Sequence, residues 1–196
     1  MPHRRGAVNM PAIERVLFTE EEIQRRIRQV AEEISADYAG REVKLVGVLK
    51  GSVFFLTALA RELTVPVTVD FLGISSFRHS QAARAQAAPG MVQISKDLDE
   101  SIEGEDVLLV EDIIDTGFTT RYLLQHLSGR APKSLAVCTL LDRTPRRIVQ
   151  IPLDYRCFEI PDRFVVGFGL DYRQLFRNLK YVAVLNPDGI EAGIMD

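Results

Sequence analysis

Residues 107–120 read VLLVEDIIDTGFTT. Four apolar residues run into Glu111-Asp112, two isoleucines precede a third acid at Asp115, and a tail of Thr and Gly follows. An apolar run without polar alternation predicts a strand covered on both faces, here residues 106–111. Helical spacing then resumes over about residues 119–128, ahead of Gly129. The acids and the Thr/Gly tail therefore sit where a buried strand hands over to a helix.

Working outward, the same alternation recurs. Residues 43–49, VKLVGVL, predict a second strand buried on both faces, and Lys50-Gly51-Ser52 turns into a helix over about 52–63. Thr19-x-x-Glu22 is a capping-box signature, followed by Ile23, Ile27, Val30, Ala31 and Ile34 at helical spacing. Further strands are predicted at 67–74, 91–95, 134–141, 155–159, 164–168 and 181–185. Apolar strands joined by helices define an α/β domain with a central, largely parallel sheet flanked by helices. In such sheets ligands bind outside the carboxyl ends of the strands. Lys50-Gly51, Ser75-Ser76, residues 111–120 and Asp142-Arg143 all fall at those ends.

At 196 residues the chain predicts one domain, residues 16–196, behind a disordered tail at 1–15. A net charge of −3 offers no basic field for nucleic acid. Cys138 and Cys157, without CxxC spacing, and three scattered histidines point to a reducing compartment and no His/Cys metal site. No apolar run approaches the ~18–20 residues of a membrane span, and MPHRRGAVNMPA has no apolar segment like a secretory signal. A cytosolic protein is expected. Residues 75–90, SSFRHSQAARAQAAPG, lack apolar periodicity and are expected to form a long exposed loop of functional use.

The turn 115–120 suits an anion. Free N–H groups and the positive end of the helix dipole lie there, Gly117 lets the backbone approach closely, and Thr116, Thr119 and Thr120 add hydroxyls. GxxxxGK[ST] is absent, so this is not a Walker loop. Glu111 and Asp112 beside a phosphate suit either sugar hydroxyls or a hard cation such as Mg2+. Compensation of the helix dipole is the plainer account of the acids. Likewise Phe164 could be a packed strand aromatic, and Lys50 and Arg177 solvated charges.

The stretch closely resembles the phosphoribosyl-pyrophosphate signature of the hypoxanthine-guanine group of type I phosphoribosyltransferases. LVGVLKGS (45–52) is similar to that family's pyrophosphate loop, VDFLGISSF (69–77) to the strand leading into its lid, and FEIPDRFVVGFGLDYRQLFRNL (158–179) to its purine-covering segment. The resemblance spans about residues 16–186 and implies the family's fold, with a small hood and a mobile lid. It implies transfer of phosphoribose to a 6-oxopurine, Mg2+ as cofactor, and a homodimer or homotetramer. Carried over residue by residue, Glu111 and Asp112 hold the ribose hydroxyls, Asp115 handles the N7 proton, and Thr116, Gly117, Phe118, Thr119 and Thr120 cradle the 5′-phosphate. Lys50, Gly51 and Arg177 contact pyrophosphate, with a cis peptide at Leu49-Lys50. Phe164 stacks on the purine, the backbone of Val165 reads its edge, and Asp171 joins Glu111 and Asp112 as a metal ligand. Ser76 and Phe77 begin the lid.

Three positions depart from the family pattern. Phe77 stands for the usual tyrosine, the loop after it is Ala-rich, and Arg143 stands where a lysine usually reads purine O6. A regulator with the same fold, binding the ligand without catalysis, is the alternative. VLLVEDI also resembles the acid pair of response-regulator receivers, but a hundred residues precede it and DTGFTT has no role there.

Overall fold

The computed structural model describes residues 13–76 and 92–186. The main sheet contains β2 (Val43–Leu49), β3 (Val67–Ser76), β4 (Val92–Lys96), β5 (Asp106–Ile114), β6 (Ser134–Asp142) and β7 (Tyr155–Glu159). Their order is β4-β3-β2-β5-β6-β7, parallel throughout except for β4, which runs antiparallel to β3. The strand 106–111 expected from the sequence is longer than predicted. It continues to Ile114 because Glu111 pairs with Thr139, Ile113 with Leu141 and Ile114 with Asp142 on β6. Ladder bonds to a neighbour outweigh the poor strand propensity of two acids.

Side-chain alternation sorts the strands between two apolar layers. Leu45 of β2 with Leu108 and Val110 of β5 face α1 (Glu20–Asp37) and α2 (Ser52–Glu62). Val46 and Val48, with Val107 and Leu109, face Leu123 and Leu127 of α3 (Phe118–Ser128). Helix α1 carries the expected capping box, Glu22 N–H donating to Thr19 Oγ1 at 3.3 Å and Thr19 N–H to Glu22 Oε2 at 2.8 Å. Its predicted apolar stripe is fully buried, each large side chain contributing on the order of 1.5–3 kcal/mol.

A second sheet of three antiparallel strands forms the hood: β1 (Ile13–Phe18), β9 (Val182–Leu185) and β8 (Val165–Val166). Strand β1 corrects the tail expected at 1–15, because Ile13 pairs with Leu185 and Arg15 with Val184. Residues 1–12 lie outside the described residues, as do Phe77 and the lid expected to follow it. Ser76 is the last residue of β3.

Candidate active site

Period two along β5 sends its two consecutive acids to opposite faces of the sheet. Glu111 meets α3, where Thr120 Oγ1 donates to Glu111 Oε1 at 3.2 Å. Asp112 meets the start of α2, so closely that a Cβ on Gly51 would lie 1.6 Å from Asp112 Oδ2. No side chain fits at position 51. Both acids therefore border one cavity of about 300 Å³ at the carboxyl edge of the sheet.

Most of the residues singled out in the sequence line that cavity. Lys50 and Gly51 form one side, Asp115, Thr116, Gly117, Thr119 and Thr120 another, and Asp171 and Arg177 reach in from the segment after β8. The peptide between Leu49 and Lys50 is cis, as the resemblance implies. Gly117 caps α3 at φ +88°, and a Cβ there would lie 2.7 Å from Val149 O. Arg177 Nη2 pairs with Asp171 Oδ1 at 2.6 Å, and its Nη1 donates to Gly169 O at 2.6 Å. Gln174 N–H donates to Asp171 Oδ2 at 2.8 Å. Arg177 and Asp171 are thus tied together in one arm that borders the cavity with Lys50.

Among the described residues, Ser76 at the end of β3 and four other predicted residues do not line this cavity. Phe118 opens α3, with the Arg121 guanidinium 5.7 Å from its ring centroid. Val165 is buried in β8, while Phe164 is 44 % exposed and meets Tyr172 edge-on at 5.7 Å. Arg143 is buried, and its Nη1 lies 3.5 Å from Asp115 Oδ2. Asp115 Oδ1 and Arg143 Nε are both buried without a hydrogen-bond partner in the structure. Unpaired buried groups are costly, so each of these two atoms is short of a partner.

Two further arginines, not singled out by sequence reasoning, serve the same turn. Arg146 Nη1 lies 3.6 Å from Asp115 Oδ2. Arg147 Nε donates to Asp115 O at 3.1 Å, and its Nη2 bonds Asp142 Oδ1. RTPRR after a strand end was the available signal, but a charge run in one chain does not say which loop it meets.

Burial pushes the Glu111 carboxyl up to about 8, reinforced by the neighbouring Asp112 charge and only partly opposed by Thr120. Burial also lifts Asp112 to about 6, against the hydrogen bond from Ile113 N–H and the Arg177 charge. Buried carboxylates short of positive charge are ready to accept donors or a cation. Among the described residues no three His, Cys, Asp or Glu side chains form a ready-made metal cluster.

A largely parallel sheet flanked by helices, with a three-stranded hood and a strand-turn-helix beside two acids, is the architecture of the type I phosphoribosyltransferases. The chain belongs to the phosphoribosyl transferase domain family, whose model matches residues 17–173. It is 44% identical to the hypoxanthine-guanine phosphoribosyltransferase of Streptococcus agalactiae over 90% of this chain and 95% of that protein. The hypoxanthine phosphoribosyltransferase of Staphylococcus aureus superposes with TM-score 0.84 at 40% identity, over 94% of this chain and 97% of the other. That of Trypanosoma cruzi, in complex with the product IMP, gives 0.82 at 41% identity over 90% and 96%.

Proposed function

We infer that the protein is a purine salvage transferase. It converts a 6-oxopurine, hypoxanthine or guanine, and phosphoribosyl pyrophosphate into the nucleoside 5′-monophosphate and pyrophosphate. The carrying observation is the single cavity that joins the acids of β5, the phosphate-type turn 115–120 and the cations Lys50 and Arg177. Nothing found favours a regulator without catalysis.

The chemistry asks for this set. Transfer from an anomeric carbon passes through a cationic ribosyl centre with a polyanionic leaving group, so charge on both must be stabilised. Lys50 and Arg177 bind the departing pyrophosphate beside Gly51. Glu111 and Asp112 accept the ribose hydroxyls and favour the cationic ring. Thr116, Gly117, Thr119 and Thr120, with the backbone at Phe118, hold the 5′-phosphate at the N-terminus of α3. Asp115 manages the N7 proton of the purine. The exposed ring of Phe164 stacks on the base, the backbone of Val165 reads its edge, and Arg143 donates to O6. Glu111, Asp112 and Asp171 would hold Mg2+ together with the substrate, and the ion would add to the neutralisation of pyrophosphate charge. The enzyme acts in the cytosol as a homodimer or homotetramer. Among the described residues no helix is long and apolar enough to cross a membrane.

Pyrophosphate release on adding hypoxanthine or guanine to enzyme, Mg2+ and phosphoribosyl pyrophosphate tests this reading. Binding of both ligands without release would return the protein to a regulator.

A further inference from the structure

The turn that carries Asp115 is held from outside by the chain that follows β6. Arg143 N–H donates to Ile114 O at 2.9 Å, and the N–H groups of Ile148 and Val149 both donate to Thr116 O at 3.0 Å. Between them Arg147 donates through Nε to Asp115 O at 3.1 Å. Its other end is fixed, because Nη2 is bonded to Asp142 Oδ1. Asp142 is itself buried and is held on its second oxygen by Arg156 Nη1 at 2.9 Å. Asp142 also ends β6, where it pairs with Ile114 of β5. The Arg147 side chain is only 12 % exposed, so its two bonds are made largely away from bulk water, where they are strong.

We propose that Arg147 is a positioning residue for Asp115. It clamps the backbone carbonyl of Asp115 to the Asp142 carboxylate and so fixes the carboxyl that faces the purine. The geometry needs an arginine. Nε and Nη2 leave the same planar fork in fixed directions, one toward a carbonyl and one toward a carboxylate. A lysine also has several donors, but they radiate from one atom at the end of its stem and do not reproduce the two separated, coplanar directions of Nε and Nη2. The dependence on placement is steep, since a misplacement of about 1 Å in a reacting group can cost roughly 10²-fold. Among the described residues the Arg147 side chain bonds the backbone of residue 115 and the Asp142 side chain, while its own N–H donates to Thr144 O, so its side chain is expected to act on turnover through what it positions.

This rests on Asp115 being the proton-handling group, and a double-mutant cycle separates the two claims. R147K is expected to lower kcat about 10–100-fold in the wild-type background, with Tm and the KM for phosphoribosyl pyrophosphate changed little. In a D115N background the same change is expected to cost less than about 3-fold, because the group it positions is already disabled. D142N, which keeps the side-chain shape and removes the anchoring charge, is expected to give the same pattern. Equal losses from R147K in both backgrounds, or wild-type turnover in R147K, would overturn the proposal while leaving Asp115 in place. Full turnover in D115N would instead remove Asp115 from the mechanism, and the proposal with it.

Discussion

A guanidinium has five N–H donors and no acceptor, and Arg143 holds one of them, Nε, buried without a hydrogen-bond partner. The oxopurines offer O6 as an acceptor, whereas adenine turns an amino donor to the same place. Sites that hydrogen-bond a required group discriminate by ~10⁴ or more against an analogue lacking it, so turnover with adenine is expected to be almost nil. Arg143 also lies within 3.5 Å of Asp115, which accounts for one prong of its fork and leaves another for O6. A lysine in its place has one nitrogen to divide between them. R143K is therefore expected to remain active but to reorder hypoxanthine, guanine and xanthine in kcat/KM. Adenine used as well as hypoxanthine by the wild type would refute this assignment of Arg143.

The elements that frame the site were unequally visible in the sequence. Strand β2 is legible at 43–49, as found, because Glu42 and Lys50 bracket a run that is apolar except for Lys44. Helix α1 announced itself through Thr19 and Glu22. Strand β1 went unseen, since its residues Ile13–Phe18 carry two charges and gain their pairing only from β9, far along the chain. The arm 167–177 was read for its side chains but not for its shape. Phe168, Arg173, Gln174 and Phe176 all take positive φ there, which side chains rarely do and which no local pattern foretells. Gly169 is different, because its φ of +101° and its contact with the turn at Lys50-Gly51 both demand glycine: an added Cβ would lie 2.1 Å from Gly51 O. Gly104, at φ +72°, has open space around it. G104A is thus expected to cost stability through backbone strain alone, of order 1 kcal/mol, with kinetics unchanged. G169A is expected to lose more stability and also to raise the KM for phosphoribosyl pyrophosphate, by pushing the arm that bears Asp171 and Arg177 away from Lys50. Thermal unfolding and steady-state kinetics on both variants make the comparison, and equal kinetics would show that the arm and the loop are not coupled by this contact.

For the whole molecule, a site rich in buried acid opposes folding when it is empty. Glu111 is raised from an ordinary 4.5 to about 8 by burial and by the Asp112 charge, and Asp112 is raised to about 6. The unfolded chain releases these protons near pH 4, while the folded chain retains them longer. Between those limits the native state binds more protons, so stability falls as pH rises from about 4.5 to about 8. Glutamine keeps the shape of Glu111 and cannot ionise. E111Q, free of metal and ligand, is therefore expected to melt close to the wild type near pH 4.5. Its Tm should exceed that of the wild type by a margin that grows with pH and levels off above about 8. Bound cations reverse the balance, because they favour the ionised form. Mg2+ with phosphoribosyl pyrophosphate should thus raise the wild-type Tm near pH 8 by more than that of E111Q, closing the gap. Scanning calorimetry on both proteins from about pH 5 to about pH 9 measures this. A Tm difference that stays constant across that range would show that Glu111 ionises in the folded protein as it does in the unfolded chain, and that the acids of β5 place no strain on the empty fold.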